Sequence, residues 1–441
     1  MIPLSIACSP KQPFLYQNDP DAQALTGLAP PFPDTTFFVL SDPHFYDTGL
    51  GADGPAFQSY LDNDRKLLVL SDEIISTAVR DIAGRNADFV LVCGDLTKDG
   101  EMVCHRAMAG HLEILRQSGK QVFVVPGNHD VSNPEAVRFT GERTKPVPAA
   151  GPGEFKTIYR EFGYDRALAL DPGSLSYVAE PVDGLRLLAL DSCRWKENRP
   201  GHHPITGGAF SKQTLAWIEQ QLIAAKQENK AVMAMLHHGI MEHYPANEKF
   251  YDEYIVADHD AVTRLFAAYG VTMTFTGHFH AQDVTRKQVG DRSVFDIETG
   301  SLVTAPCPYR QVRISRGNLA QITSMAVSSI PSMGDDFAAY ADRYVFEGTK
   351  KLADAALAGY KVSPEQSDLI NHQIAEAYTA HLKGDEVAPP LPLDTKEFGL
   401  WLKFISWMQE DLIHGWWSDL PPADNHLEIR LDTGDVRRKT A

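Results

Sequence analysis

The 441-residue chain has five cysteines, Cys8, Cys93, Cys104, Cys193 and Cys307, an odd number without close spacing. That argues against a disulfide framework and against a cluster of thiolate metal ligands. No apolar run approaches the length of a membrane span, so no transmembrane segment is expected. Positive charge is also in short supply: 41 Lys and Arg stand against 58 Asp and Glu, a formal net charge of -17. Such a surface repels a long polyanion unless a local cationic site outweighs it, so duplex nucleic acid is not an expected partner. The apolar content, 43% hydrophobic against 22% charged residues, is ordinary for a globular protein. The length exceeds what a single core usually fills, which predicts one main domain and a smaller appended unit.

The first residues, MIPLSIACSPKQP, lack a basic leader and a full apolar segment. Two readings of residues 1–34 stay open: an irregular arm, with a cytoplasmic protein behind it, or the remnant of a signal, with Cys8 as the anchored residue of a cell-envelope lipoprotein. Beyond them, strands are expected over 36–40 and 88–93. Between these, Leu70, Ile74, Ile75, Val79 and Ile82 recur at helical spacing. A second series of strand and helix patterns runs from SYVAE to YRQVRISRGNLAQITSM. The texture changes near 329, with helices expected over 335–359, 364–383 and 395–414. In the last of these Trp401, Phe404, Met408 and Leu412 share a face.

Five apolar runs end in polar residues: TTFFVLSDPHF, ADFVLVCGD, QVFVVPGNHD, AVMAMLHHG and VTMTFTGHFH. Any one of these endings is explained by a turn, since Asn, His and Asp bond to nearby backbone. Five together are not, because grouped His and Asp must be paired, protonated or metal-bound to offset desolvation. The donors are carboxylate and amide oxygen and imidazole nitrogen, a set that suits Mn, Fe or Zn. If the strands extend through them, Asp42 and His44 point to one side, as do His278 and His280. Asp95 has two oxygens and can bridge two cations.

These clusters, D-x-H, G-D, G-N-H-D, H and G-H-x-H in order, resemble those of the calcineurin-like metallophosphoesterases, and most closely the pattern of bacterial class III cyclic nucleotide phosphodiesterases. The resemblance covers about 35–315. It implies an α/β layered fold with central sheets flanked by helices, here with a small C-terminal helical domain, and the boundaries 35–328 and 329–441. It implies two divalent or mixed-valence metal ions, one held by Asp42, His44, Asp95 and His280 and the other by Asp95, Asn128, His237 and His278. His238 remains an alternative to His237. His129 is placed by the phosphate and leaving group, with Asp130 orienting its ring, and a metal-bound hydroxide is the implied nucleophile. Lys98 stands where purple acid phosphatases have a ligand tyrosine, and LTKDG stands where protein phosphatases have V-D-R-G. The expected substrate is therefore a small phosphodiester such as a cyclic nucleotide. The alternatives are a glycerophosphodiester or another small phosphoester, then a nuclease or an inactive metal-stabilised binding protein. His202, His203 and Tyr309, in loops or at a strand end, are further candidates for substrate contact. The helical tail is expected beside the catalytic opening, where it also offers a surface for a homodimer.

Overall fold

A computed structural model describes residues 14–315, 318–358, 362, 364–389, 403 and 410–439. Cys8, Trp401, Phe404, Met408 and most of the helix expected over 395–414 lie outside the described residues.

The core is built from two seven-stranded sheets. In the first, Thr35–Leu40, Phe89–Val92 and Gln121–Val124 run parallel. Pro308–Ser315 and then Leu319–Ala326 pair antiparallel on the other side of Thr35–Leu40. In the second, Leu185–Ala189, Ala231–Met235, Met273–Thr276 and Arg292–Glu298 are parallel neighbours. Asp283–Val289 closes one edge antiparallel, and Tyr177–Val182 with Ala169–Leu170 closes the other. The central strands of both sheets are buried on both faces, which explains their continuous apolar runs. The sheets face each other through aromatic contacts: Phe37 stacks on Phe89 at 4.6 Å between ring centroids and meets Phe275 of the opposite sheet edge-on at 5.3 Å.

Helices cover the outer faces. Ser71–Ala83 buries Ile74, Ile75, Val79 and Ile82, the stripe its periodicity predicts, and Met102–Gln117 and Lys212–Gln227 follow the same logic. Past residue 329 the helices Phe337–Ala358 and Pro364–Lys383 form. Their buried side chains Phe337, Ala341, Val345, Tyr378 and Leu382 are continuous with the core of the main sheets. One segment differs from the helical expectation for the tail. His426–Arg430 and Val436–Arg438 are strands that extend the first sheet beyond Leu319–Ala326. Leu427 and Ile429 are buried while their neighbours are not, the period-2 pattern of a half-buried strand. Among the described residues no helix is long and apolar enough to cross a membrane.

Phe37→Ala removes a ring that touches both sheets and is expected to cost about 3–5 kcal/mol, read as a lower denaturant midpoint. A loss under about 1 kcal/mol would mean that the sheets are not held together here.

Candidate metal centre

The parallel strands Thr35–Leu40, Phe89–Val92, Gln121–Val124, Ala231–Met235 and Met273–Thr276 all end at one side of the two sheets. Loops at the carboxyl ends of such strands are where open α/β sheets gather functional groups. Here they bring Asp42, His44, Asp95, Asn128, His129, His237, His278 and His280 together. The chain does this by turning sharply, not by extending the strands. Asp42, His44, Asp95, His278 and His280 all have positive φ, between 36° and 80°. The strand-parity expectation for Asp42 with His44 and for His278 with His280 is thus replaced by left-handed turns that aim both members inward. Gly277 permits the closest approach, since a Cβ there would lie 1.9 Å from Ser41 Oγ.

Two ligand-type groups result. Asp42, His44 and His280 form one, and Asp95, His237 and His278 the other, each with its ligand atoms within 4.8 Å of one another. The Nε2 atoms of His44 and His280 face each other at 3.2 Å. Asp42 Oδ1 stands 3.4 Å from His280 Nε2 and 3.7 Å from His44 Nε2, with no hydrogen-bond partner. His278 Nε2 is also buried without one. Asp95 Oδ2 lies between the groups, 3.5 Å from His44 Nε2 and 3.4 Å from His237 Nε2. Asn128 Oδ1 is 3.0 Å from His237 Nε2.

The electrostatics suit cations. Burial, and then the Lys66 charge, hold His44 well below the usual imidazole range. Burial and the neighbouring imidazoles of His238 and His237 do the same to His278. Both rings are therefore neutral and have a lone pair to offer. His237 goes the other way: burial disfavours its charge, but Asp95 and Asp42 outweigh that and push it up to about 9. The two carboxylates demand positive charge at this point, and in the ion-free chain a proton on His237 meets that demand. The orphaned Asp42 Oδ1 and His278 Nε2, with neutral imidazoles and a shared Asp95 oxygen, fit a pair of divalent ions.

The two candidates at 237 and 238 separate cleanly. His237 Nδ1 donates to the Cys93 carbonyl at 2.9 Å, which aims Nε2 at the centre. Both ring nitrogens of His238 are committed elsewhere, Nδ1 accepting from Ser192 Oγ at 2.7 Å and Nε2 donating to the Thr206 carbonyl at 2.8 Å.

Asp130 does not orient His129, contrary to the role the resemblance implied. Its carboxylate points back into the fold and accepts from the backbone of Leu96, Thr97 and Gly127 and from Thr97 Oγ1, tying the G-D loop to the G-N-H-D loop. His129 Nδ1 instead donates to Asp99 Oδ1 at 2.8 Å. Asp99 is fully buried, paired with buried Lys98, and its Oδ2 accepts from Tyr60 Oη at 3.2 Å. Lys98 also reaches Glu101 at 3.1 Å and lies 4.4 Å from the Tyr60 ring centre. The spacing G-D-x-x-x-D placed Asp99 within reach of the site, but no strand or helix pattern fixed its direction.

A cavity of about 350 Å³ opens over the centre, lined by Asp95, Asn128, His129, His278 and His280 and, further out, by Arg65, Lys66, Tyr254, Phe279, Tyr378 and His203. Of the other candidates for substrate contact, His203 is at the rim and bonds Glu135 at 2.5 Å. His202 is exposed and does not line the cavity. Tyr309 is not a lining residue either: it is buried, and its hydroxyl donates to Asp81 at 2.6 Å.

Residues 35–282 match the family described as calcineurin-like phosphoesterase. No curated protein matches the chain. Among solved structures, a dimetal phosphatase from Danio rerio is 17% identical, with 68% of this chain and 97% of that one covered and a TM-score of 0.46. A purple acid phosphatase from yellow lupin (Lupinus luteus) seeds is 12% identical, covering 67% and 52%, at 0.44. A 5'-nucleotidase precursor from Thermus thermophilus is 13% identical, covering 74% and 60%, at 0.39. The match thus spans about half of the lupin enzyme.

His237→Gln is expected to weaken Mn²⁺ binding by more than about tenfold, measured by titration calorimetry. His238→Gln should leave that affinity in place and cost about 1–3 kcal/mol of stability through its two buried hydrogen bonds. The reverse pattern would exchange their roles.

Proposed function

The chain belongs to the calcineurin-like phosphoesterase family, and from that premise we propose that it hydrolyses a small phosphodiester, of the cyclic nucleotide class, with two divalent transition-metal ions at the Asp95 centre. The observation that carries the reading is Asp95 Oδ2 standing 3.5 Å from His44 Nε2 and 3.4 Å from His237 Nε2, between two buried ligand groups. Asp42, His44, Asp95 and His280 would hold one ion, and Asp95, Asn128, His237 and His278 the other. Bound there, the ions would supply a water acidified to near neutral pH and would draw charge from the phosphoryl oxygens.

The chain's own residues supply the rest. With Nδ1 bonded to Asp99, His129 presents Nε2 to the cavity. Burial disfavours its charge, but the Asp95 carboxylate, and after it Asp99, raise the imidazole above its ordinary range. A protonated Nε2 can pass its proton to the departing alkoxide. Asp99 fixes the ring's tautomer and direction and is itself held by Lys98 and Tyr60, so the pair is preorganised.

The outer cavity bears on the substrate class. Its two cations are each partly committed: Lys66 to Asp64 at 3.2 Å, and Arg65, whose guanidinium lies 4.3 Å from the Tyr378 ring centre, to that ring. That modest positive charge suits a diester monoanion better than a monoester dianion. Phe279, Tyr254 and Tyr378 offer ring surface for a flat or apolar substituent. Tyr378 comes from the helix Pro364–Lys383, which supports a substrate-facing role for the C-terminal segment.

The reading is tested by kcat/KM for 3',5'- and 2',3'-cyclic nucleotides, glycerophosphodiesters, phosphopeptides and short DNA, with one Mn²⁺-loaded preparation and a chelated control. Cyclic nucleotides are expected to lead, and chelation to abolish turnover. A preference of about tenfold for glycerophosphodiesters, about 1.4 kcal/mol in transition-state stabilisation, would reject the substrate class and keep the chemistry. Turnover unaffected by chelation would reject the chemistry itself. In the same assay Asp99→Asn should lower kcat by about 10²-fold with little change in KM.

A further inference from the structure

A separate group of buried ligand-type side chains lies where the segment after His280 meets the C-terminal helices. Asp283 opens the strand Asp283–Val289, His381 sits in the last turn of Pro364–Lys383, and Glu386 follows that helix. The two segments are stitched together locally. Gln282 N–H donates to the Leu382 carbonyl at 3.2 Å. Gly384, at φ +70°, lets the chain pass where a Cβ would come within 2.1 Å of the Gln282 carbonyl oxygen.

Asp283, His381 and Glu386 each offer a ligand atom, and these atoms lie within 4.8 Å of one another. The side chains of His381 and Glu386 are each 1% exposed and that of Asp283 is 2% exposed. His381 Nδ1 is 2.5 Å from Glu386 Oε1, yet His381 Nε2 and Glu386 Oε2 are buried with no hydrogen-bond partner. Native proteins rarely leave such atoms unsatisfied without an ion or water.

Positive charge around the group is already engaged. His243 Nδ1 bonds Asp283 at 2.9 Å, but its Nε2 also faces Asp296 at 3.3 Å and Glu298 at 3.7 Å, so one imidazole serves three carboxylates. Buried Arg310 spends its donors on the carbonyls of Glu298, Asp283 and Asp424 and on Ser324 Oγ. Asp424 adds a further buried carboxylate, bonded to Val284 N–H at 2.8 Å.

We infer that Asp283, His381 and Glu386 hold a divalent first-row transition-metal ion at a site of its own, which fastens the C-terminal helix to the segment carrying His278 and His280. Two carboxylates and one imidazole neutralise a divalent charge and match the donor preference of such ions, the nitrogen arguing against calcium. Four-coordinate metal bonds of about 2.0–2.2 Å set ligand atoms about 3.3–3.6 Å apart, and the three ligand atoms already lie within 4.8 Å of one another, so side-chain rotation closes the group on an ion. The mechanical link is short. Phe279, between the two histidines of the centre, has its ring 5.2 Å from that of His381, and Ala281 N–H donates to Glu298 Oε1 at 3.2 Å.

The test uses Zn²⁺ as the probe. Crystals of the full chain, loaded with Zn²⁺ and dialysed, are measured on both sides of the zinc absorption edge. An anomalous peak among Asp283, His381 and Glu386 is the expected result. A map with peaks only at the Asp95 centre would overturn this inference and leave the proposed function standing; a peak here with none at the Asp95 centre would do the opposite. In solution, His381→Gln and Glu386→Gln are each expected to carry one zinc equivalent per chain less than wild type prepared in parallel, and equal content would overturn the site. If both variants fail to fold, the wild-type anomalous map decides.

Discussion

The arrangement turns on one carboxylate. Asp95 follows a strand buried on both faces, turns at positive φ, and sets Oδ2 between His44 and His237 at the buried floor of the cavity. An anion in that position is costly unless positive charge meets it. Much of the surrounding structure reads as an answer to that requirement. The two sheets bring five strand ends together, Cys93 O aims His237, and burial keeps His44 and His278 neutral. Under the proposed function the same oxygen that demands charge would share it between two ions, so folding and chemistry would meet in a single residue.

A second layer sets direction. His129 reaches the cavity because Asp99 holds its Nδ1, and Asp99 stays charged, well below the usual carboxylate range, because burial is outweighed by Lys98 and His129. Asp130, next to His129 in sequence, serves the backbone of two loops instead. The two carboxylates thus divide the work of aiming the His129 ring and of fixing the loop that carries it. Tyr378 extends the pattern outward, since a helix far along the chain completes the wall of the cavity.

The layered α/β architecture and the eight polar residues of the centre were legible because each follows a buried strand, and hydrophobic runs that stop at Asp, Asn or His are visible without coordinates. The direction of a side chain after a left-handed turn was not: the resemblance implies Asp130 in the place that Asp99 holds, and strand parity does not survive the positive φ of Asp42 and His44. Tyr309 is a candidate for substrate contact from the sequence, but it lies in an antiparallel strand and its hydroxyl faces Asp81. The strands His426–Arg430 and Val436–Arg438 did carry a signal, the alternation in HLEIR followed by the turn residues TGD, masked by the helical texture before them. Asp283, His381 and Glu386 left none, since residues about a hundred positions apart become neighbours only through tertiary packing.

The claim that Asp95 is shared by two ions is tested most directly by electron paramagnetic resonance of the chain loaded with Mn²⁺. Two ions bridged by one carboxylate are expected to give the broadened spectrum of an exchange-coupled pair, and Asp95→Asn to replace it with the six-line pattern of isolated ions. A six-line spectrum from the fully loaded wild-type protein would contradict the account.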